Sequence, residues 1–149
     1  MDLSYALTPF IAWLIAGGIK FVINSIRAKQ LAFKMIGYGG FPSNHSAIVS
    51  STATLIALRE GMDHPAFAVA ITLAFIVVLD ASSLRRQVGK LAEVLNKHTV
   101  HLEEGYVPLR ERMGHTRIEI AAGVVTGVAT AFSVNAWLMT LLHKVSLLG

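Results

Sequence analysis

The chain has 149 residues, of which 54 % are hydrophobic and only 15 % are charged, and its formal net charge is +4. Soluble domains carry about 25 % charged residues, so this composition predicts an integral membrane protein, with residues 1–149 forming one domain. The absence of cysteine excludes a disulfide framework, a thiolate nucleophile and a zinc–thiolate site. No nucleic-acid partner is expected, because the chain has no soluble face on which to display its basic residues.

Two apolar segments separated by a basic connection open the chain. Residues 5–26 predict a first membrane helix, which Lys20 interrupts near its far end, either as a snorkelling lysine or as a cation that faces a ligand. Residues 27–43 form the basic connection. Residues 43–58 predict a short second helix rich in serine and threonine. Because such a helix is too polar to face lipid on all sides, we expect it inside the bundle.

The second half of the chain alternates apolar and charged segments. The third apolar segment, from Ala66 to about Leu84, contains Asp80, which we interpret as a functional position, a helix-end cap or a partner of Arg85. Residues 85–117 are charged, and apolar residues at helical spacing within them predict an amphipathic helix at the membrane surface. The last segment runs from near His115 to about Leu142, and its Gly123 and Gly127 predict close helix packing.

Together these elements predict an all-α fold, a small membrane-embedded bundle of about four transmembrane helices plus the amphipathic surface helix. Of the 13 Lys and Arg residues, ten lie in the two stretches 27–43 and 85–117. The positive-inside rule therefore predicts that both stretches face the cytoplasm in a multi-pass protein.

The stretch Gly39-Gly40-Phe41-Pro42-Ser43-Asn44-His45-Ser46 is typical of a helix start, since Pro42 and Ser43 are helix-initiating residues. It brings a hydroxyl, backbone N–H groups and the His45 imidazole to a helix N-terminus, which predicts an anion site with a proton donor beside it. An even number of crossings separates this stretch from His115, so both histidines are expected at one membrane face. His115 and Glu119 are four residues apart, so the carboxylate is expected to bond the ring.

These motifs resemble those of a known family. Pro42-Ser43-Asn44-His45 matches the Pro-Ser-x-His motif of the type 2 phosphatidic acid phosphatases, relatives of the vanadium haloperoxidases. His115-x-x-x-Glu119 is similar to the family's third motif, with Glu in place of the usual Asp. Lys20 and Arg27 keep the spacing of the first motif, although Ala28 replaces its proline. The arginine of the third motif would fall at Leu109, with Arg110 and Arg112 nearby but out of register. Residues 39–47, 80–96 and 114–119 resemble the divergent bacterial and plastid branch of the family.

The resemblance implies a mechanism and a set of site residues. His115 would attack phosphorus and form a phosphohistidine, Glu119 would orient His115, and His45 would protonate the leaving group and then activate water. Asp80 would support the site, and the phosphate would be bound by Lys20, Arg27, Ser43, Asn44, Arg85, Arg86 and Lys90. No metal or other cofactor is expected, because these cations can stabilise the charge that develops on the phosphoryl oxygens.

The predicted function is the hydrolysis of a lipid phosphate or diphosphate, such as a polyprenyl diphosphate, phosphatidic acid or a phosphatidylglycerol phosphate, in the bacterial cytoplasmic membrane. The expected partners are this substrate, membrane lipids and a second copy of the chain in a homodimer. Two alternatives remain open. One is a metal-dependent membrane hydrolase with a divalent ion held by His45, His115, Glu119 and Asp80. The other is a non-catalytic phospholipid-binding membrane protein.

Overall fold

The computed structural model describes residues 3–29, 31, 40–99 and 105–146, and this part of the chain contains helices and no strand. A π-helical turn, Asp80–Leu84, joins the third and fourth of five α-helices. The helices are α1, Ser4–Ala28; α2, Asn44–Glu60; α3, Pro65–Leu79; α4, Arg85–Thr99; and α5, Arg117–Ser146. The predicted all-α class is confirmed. Much of the predicted basic connection, together with Gly39, lies outside the described residues.

Among the described residues, three helical stretches are long and apolar enough to cross a membrane, namely Ser4–Ala28, Pro65–Thr99 and Arg117–Thr140. The remaining predicted crossing, α2, has 17 residues and packs against α1, α3 and α5. Its buried serines bond to carbonyls of their own helix, with 2.6 Å from Ser50 Oγ to Ser46 O and 2.8 Å from Ser51 Oγ to Ile48 O. These bonds satisfy the hydroxyls without water. The predicted interior position of this polar helix is therefore confirmed.

Helix α5 packs closely on α2 through the two glycines that the sequence singled out. A Cβ atom at Gly123 would overlap the carbonyl oxygen of Ser43, and one at Gly127 would overlap Ser50 Oγ and the carbonyl oxygen of Ala47. Only bare glycine backbone allows the two helices to come this close. The predicted packing role of the Gly-x-x-x-Gly pair is confirmed, and it brings the start of α5 against the start of α2.

A polar cluster ties α1, α2 and α5 together at the other end of the bundle. Arg59 Nε donates to Asn135 Oδ1 at 3.0 Å, Arg59 also bonds the hydroxyl of Ser4, and its guanidinium lies 5.1 Å from the centre of the Tyr5 ring. The Tyr5 hydroxyl in turn bonds Glu60. These contacts join α1, α2 and α5 near the C-terminal end of α2. They fix the rotation of α2 within the bundle.

The predicted boundary at about Leu84 lies at the end of the π-helical turn, and the chain continues from there without a loop as α4, which ends at Thr99. No glycine or proline occurs between Ala66 and Val88. Ser82 and Ser83 donate their hydroxyls to the carbonyl of Leu79, at 3.2 and 2.6 Å, rather than ending the helix. The change from apolar to charged sequence therefore coincides with the π-helical turn and not with a break in the helix.

One face of α4 is covered by the chain that leads to α5. Asn96 bridges the two, because its Nδ2 donates to the carbonyl of Leu109 at 2.8 Å and its Oδ1 accepts the N–H of Leu109 at 2.8 Å. Tyr106 and Glu111 also bond Asn96. Another face exposes Val88, Leu91 and Leu95. The helix is thus amphipathic as expected, and its place at the membrane surface stays a prediction.

Candidate active site

Two histidines from distant parts of the sequence meet at the end of the bundle where α2 and α5 begin. Ser43 is the N-cap of α2, with its Oγ accepting the N–H of Ser46 at 3.3 Å, so His45 lies in the first turn of that helix. His115 lies just before α5 and is only 7 % exposed. The centres of the two rings are 5.9 Å apart. The expectation that both histidines lie at one end of the bundle is confirmed.

Glu119 holds His115 through a helix-capping arrangement. Its Oε2 accepts the N–H of Thr116 at 2.9 Å, while its own N–H donates to Thr116 Oγ1 at 3.3 Å, the reciprocal pair of a capping box. The same Oε2 lies 3.2 Å from His115 Nδ1. The predicted contact is confirmed, but its origin differs, because His115 precedes the helix and does not share a helical face with Glu119. With Nδ1 occupied, Nε2 is the ring nitrogen left for chemistry.

Two backbone hydrogen bonds join the three segments of the site. The N–H of Ser43 donates to the carbonyl of Glu119 at 2.9 Å, and the N–H of His115 donates to the carbonyl of Ala81 in the π-helical turn at 2.9 Å. Ser43 is completely buried. Its predicted N–H contribution to a phosphate cradle is therefore corrected, because this N–H is already bonded within the protein.

The first turn of α2 still offers unbonded polar groups. The N–H groups of Asn44 and His45 are the first two of the helix and have no acceptor in the described part of the chain. The side-chain atoms Asn44 Oδ1 and His45 Nδ1 are buried without a protein hydrogen-bond partner among the described residues. The backbone N–H of Asn44 therefore remains available, and the phosphate contact expected of Asn44 stays a prediction.

Two cations act on both histidines. Arg85 is held by Asp80, with 2.6 Å between Arg85 Nε and Asp80 Oδ2 across the π-helical turn. The charges that act on His45 are those of Arg85, His115, Lys20 and Asp80. Lys20 and Arg85 also act on His115, and Lys20 feels the charge of Glu119. Of the three readings of Asp80, the structure supports the partner of Arg85.

The surroundings of His115 favour its neutral form. Burial lowers its pKa from the ordinary value, the hydrogen bond to Glu119 opposes this effect, and the positive charges of Lys20 and Arg85 lower the pKa further. A neutral imidazole carries a free lone pair on its unbonded nitrogen. At neutral pH, His115 is therefore in the form that a nucleophile or base requires.

Three of the predicted phosphate ligands lie on the surface. Arg27, Arg86 and Lys90 are exposed and are not among the groups whose charges act on either histidine. The stem of Arg86 instead packs against Gly114, where a Cβ atom would come within 2.6 Å of Arg86 Cγ. The phosphate contacts expected of these three residues stay predictions.

Sequence reasoning missed two contributors to the site. Thr116 forms the capping box with Glu119, and its Thr-x-x-Glu spacing is a signal that could have identified it. Arg110 is one residue out of register with the arginine of the family's third motif, and its positive charge acts on Lys20. In the structure its side chain is exposed, and its Nε donates to the carbonyl of Arg112 at 3.3 Å.

A metal site requires several ligands arranged around one point. In the part of the chain that the structure describes, no group of three or more His, Asp or Glu side chains is arranged to hold a metal ion. Asp80, one member of the predicted alternative metal set, is paired with Arg85. His115 and Glu119 are bonded to each other, at 3.2 Å between Nδ1 and Oε2.

Comparison with known proteins agrees with the motifs. The family model described as "Divergent PAP2 family" matches residues 2–130. An uncharacterized membrane protein of Bacillus subtilis (strain 168), YuiD, is 33 % identical over 138 residues, which cover 82 % of this chain and 87 % of the relative. No solved structure matches the chain.

Proposed function

Because the chain belongs to the divergent PAP2 family, we propose that it is a membrane phosphatase that hydrolyses a lipid phosphate or diphosphate through a phosphohistidine intermediate. The observation that carries the proposal is the histidine pair, 5.9 Å between ring centres, with one ring bonded to Glu119. Candidate substrates are a polyprenyl diphosphate, phosphatidic acid and a phosphatidylglycerol phosphate.

In the first step, His115 Nε2 attacks phosphorus. An N–P bond forms and the P–O bond to the lipid breaks, while His45 gives its proton to the leaving oxygen. The lipid then departs as an alcohol, or as a monophosphate when the substrate is a diphosphate. Glu119 stabilises the positive charge that forms on the His115 ring, because its carboxylate lies 3.2 Å from Nδ1.

In the second step, His45 takes a proton from water, and the water oxygen attacks phosphorus. The N–P bond breaks, His115 returns to its neutral form and inorganic phosphate leaves. Lys20, Arg85 and the N–H groups at the start of α2 stabilise the charge on the phosphoryl oxygens in both steps. Phosphoryl transfer requires little beyond such positioning and charge stabilisation.

The test is release of inorganic phosphate from a panel of lipid phosphates by the purified chain in detergent. His115→Ala is expected to abolish release, and His45→Ala to lower the rate roughly hundred- to ten-thousandfold, the usual contribution of general acid–base catalysis. His64→Ala, an exposed histidine at the far end of the bundle, serves as the matched control and should leave the rate unchanged. Equal rates in all four proteins would contradict the mechanism.

Two further measurements separate the proposal from its alternatives. Turnover that persists in excess EDTA supports the metal-free mechanism, whereas loss of turnover that added divalent ions restore indicates a metal-dependent hydrolase. Binding of lipid phosphates without any release of phosphate indicates a non-catalytic lipid-binding protein. A phosphoprotein that is labile to acid and disappears in His115→Ala would identify the intermediate directly.

A further inference from the structure

An apolar groove of about 560 Å³ opens between α3 and α5, and α2 forms its floor. Both walls pack on α2, whereas direct packing between α3 and α5 is slight. The groove is lined almost entirely by aliphatic and aromatic side chains. Of its two hydroxyl residues, Ser50 already donates to the carbonyl of Ser46. The groove thus offers contact to hydrocarbon and little to a polar ligand.

The floor of the groove leads directly from the histidine pair. His45, Val49, Ala53 and Ala57 follow one another at intervals of four residues, which places them in one row along α2. The last three of these residues line the groove. A molecule whose phosphate lies at His45 can therefore extend down the groove without leaving the surface of α2.

The two walls of the groove, α3 and α5, also extend towards the site. On α3, Ala74 and Val78 line the groove, and the π-helical turn that follows α3 begins with Asp80 and Ala81, which belong to the site. On α5, Val124 and Val128 line it, about one and a half and two and a half turns after Glu119. On all three helices, the residues that line the groove are thus followed or preceded by residues of the site.

The size of the groove fits one hydrocarbon chain. Its lining on α3 extends from Phe67 to Val78, about 16 Å at the rise of an α-helix. This length is about half of the ~30 Å hydrocarbon thickness of a bilayer, which is the depth of one leaflet. One water molecule occupies ~30 Å³ of the liquid, and we take the same volume for one methylene group. A groove of about 560 Å³ then has room for the carbon atoms of one hydrocarbon chain but not for those of two.

Resting on the proposed function, we infer that the groove between α3 and α5 binds one hydrocarbon chain of the lipid phosphate and selects substrates by the length of that chain. The charges support this occupant, because Lys20 and Arg85 lie at the phosphate end and the remainder is apolar. Each methylene that enters the groove leaves water or detergent for an apolar surface. Affinity should therefore rise with chain length until the groove is full.

The test compares a groove variant with a variant on the outer face of the same helix. Ala74→Phe places a ring in the groove, and Ala68→Phe adds the same ring at an exposed position outside it. The substrates are butyl, octyl, dodecyl and hexadecyl phosphate. We expect Ala74→Phe to raise KM for the two longest substrates roughly tenfold, the effect of about 1.4 kcal/mol, with butyl phosphate and the Ala68→Phe protein unaffected. An equal change for all four substrates, or no change, would overturn the inference.

Val128→Phe, which fills the groove from α5, guards against misfolding of the first variant and should give the same dependence on chain length. Absence of phosphate release from every substrate in the wild-type protein would count against the proposed function. In that case the groove is tested by binding alone. Native mass spectrometry of the His115→Ala protein should show dodecyl phosphate retained better than butyl phosphate, with Val128→Phe removing the difference. Equal retention of both would overturn the inference independently of catalysis.

Discussion

The Glu119 carboxylate serves two groups with one oxygen. Oε2 accepts from the backbone at the start of α5 and lies beside the His115 ring, at 2.9 and 3.2 Å respectively. The orientation of the imidazole is therefore coupled to the integrity of the helix start. A change at this position alters the electrostatics of His115 and the capping of α5 together.

Glu119→Gln tests the electrostatic half of this coupling. The carboxylate raises the pKa of His115 against the lowering effect of burial, so removing its charge should lower that pKa further. In the wild-type protein we expect the pKa of His115 to lie below the ordinary value of about 6.5. Deuterium exchange at the imidazole C2 position, followed by mass spectrometry against pH, measures it directly. A pKa that rises in Glu119→Gln would contradict this account of the site.

Arg85 and Arg86 are adjacent in sequence, yet they lie in different surroundings, and this difference gives a second prediction. Arg85 is paired with Asp80 and acts on both histidines, whereas Arg86 packs against Gly114 on the surface. Arg85→Ala should lower kcat/KM roughly ten- to hundredfold, as expected for a lost hydrogen bond to a charged group. Arg86→Ala should change it less than about twofold. A larger loss in Arg86→Ala than in Arg85→Ala would reverse the assignment.

Among the elements, the contact between α2 and α5 depends most on residue size. Gly127→Ala places a methyl group against the backbone of α2, whereas a Cβ atom at Gly18 of α1 meets nothing within 4 Å. We expect Gly127→Ala to lower the free energy of unfolding in detergent by about 1–3 kcal/mol, the usual cost of overpacking. Gly18→Ala, the matched control, should be neutral or slightly stabilising. Thermal or denaturant unfolding of both proteins would decide.

The π-helical turn sets the direction of Arg85. Such a turn carries one residue more than an α-helical turn and is frequent at functional sites. Deleting the exposed Ser83 should return the segment to a regular α-helix, rotating Arg85 and the carbonyl of Ala81 relative to His115. We expect helical content by circular dichroism to be retained and kcat/KM to fall roughly hundredfold, as for other small misplacements in active sites. Unchanged turnover would show that the turn does not position the site.

The helices of this chain could be predicted well from its sequence, and the junction between α3 and α4 could not. Apolar runs and helix-initiating residues located α1, α2 and α5 within a few residues, because burial in lipid and capping are local in sequence. The continuation past Leu84 depends on hydrogen bonds in the π-helical turn, which composition does not reveal. At the site, the histidine pair followed from topology. The hydrogen bond from the Ser43 N–H to Glu119 could not be predicted, and neither could the effect of the Arg110 charge on Lys20. Both depend on contacts between segments that are distant in sequence.

At the scale of the whole molecule, the absence of cysteine makes the membrane orientation directly testable. Lys90 lies at the histidine end of the bundle and Asp63 at the opposite end, and both are exposed. In intact bacteria, a maleimide that cannot cross the membrane should label Asp63→Cys, because the positive-inside rule places the histidine end in the cytoplasm. Lys90→Cys should be labelled only after the membrane is opened. The reverse pattern would place the phosphate site outside the cell.

The hydrogen bonds from Ser43 to Glu119 and from His115 to Ala81 have a consequence for the order of events during synthesis. The chain emerges from the ribosome with α2 and α3 before His115 and Glu119, the residues that join them at the site. Until α5 enters the membrane, His45 has neither its histidine partner nor the Glu119 carbonyl that anchors the start of its helix. The proposed site is therefore incomplete until α5 has joined the bundle.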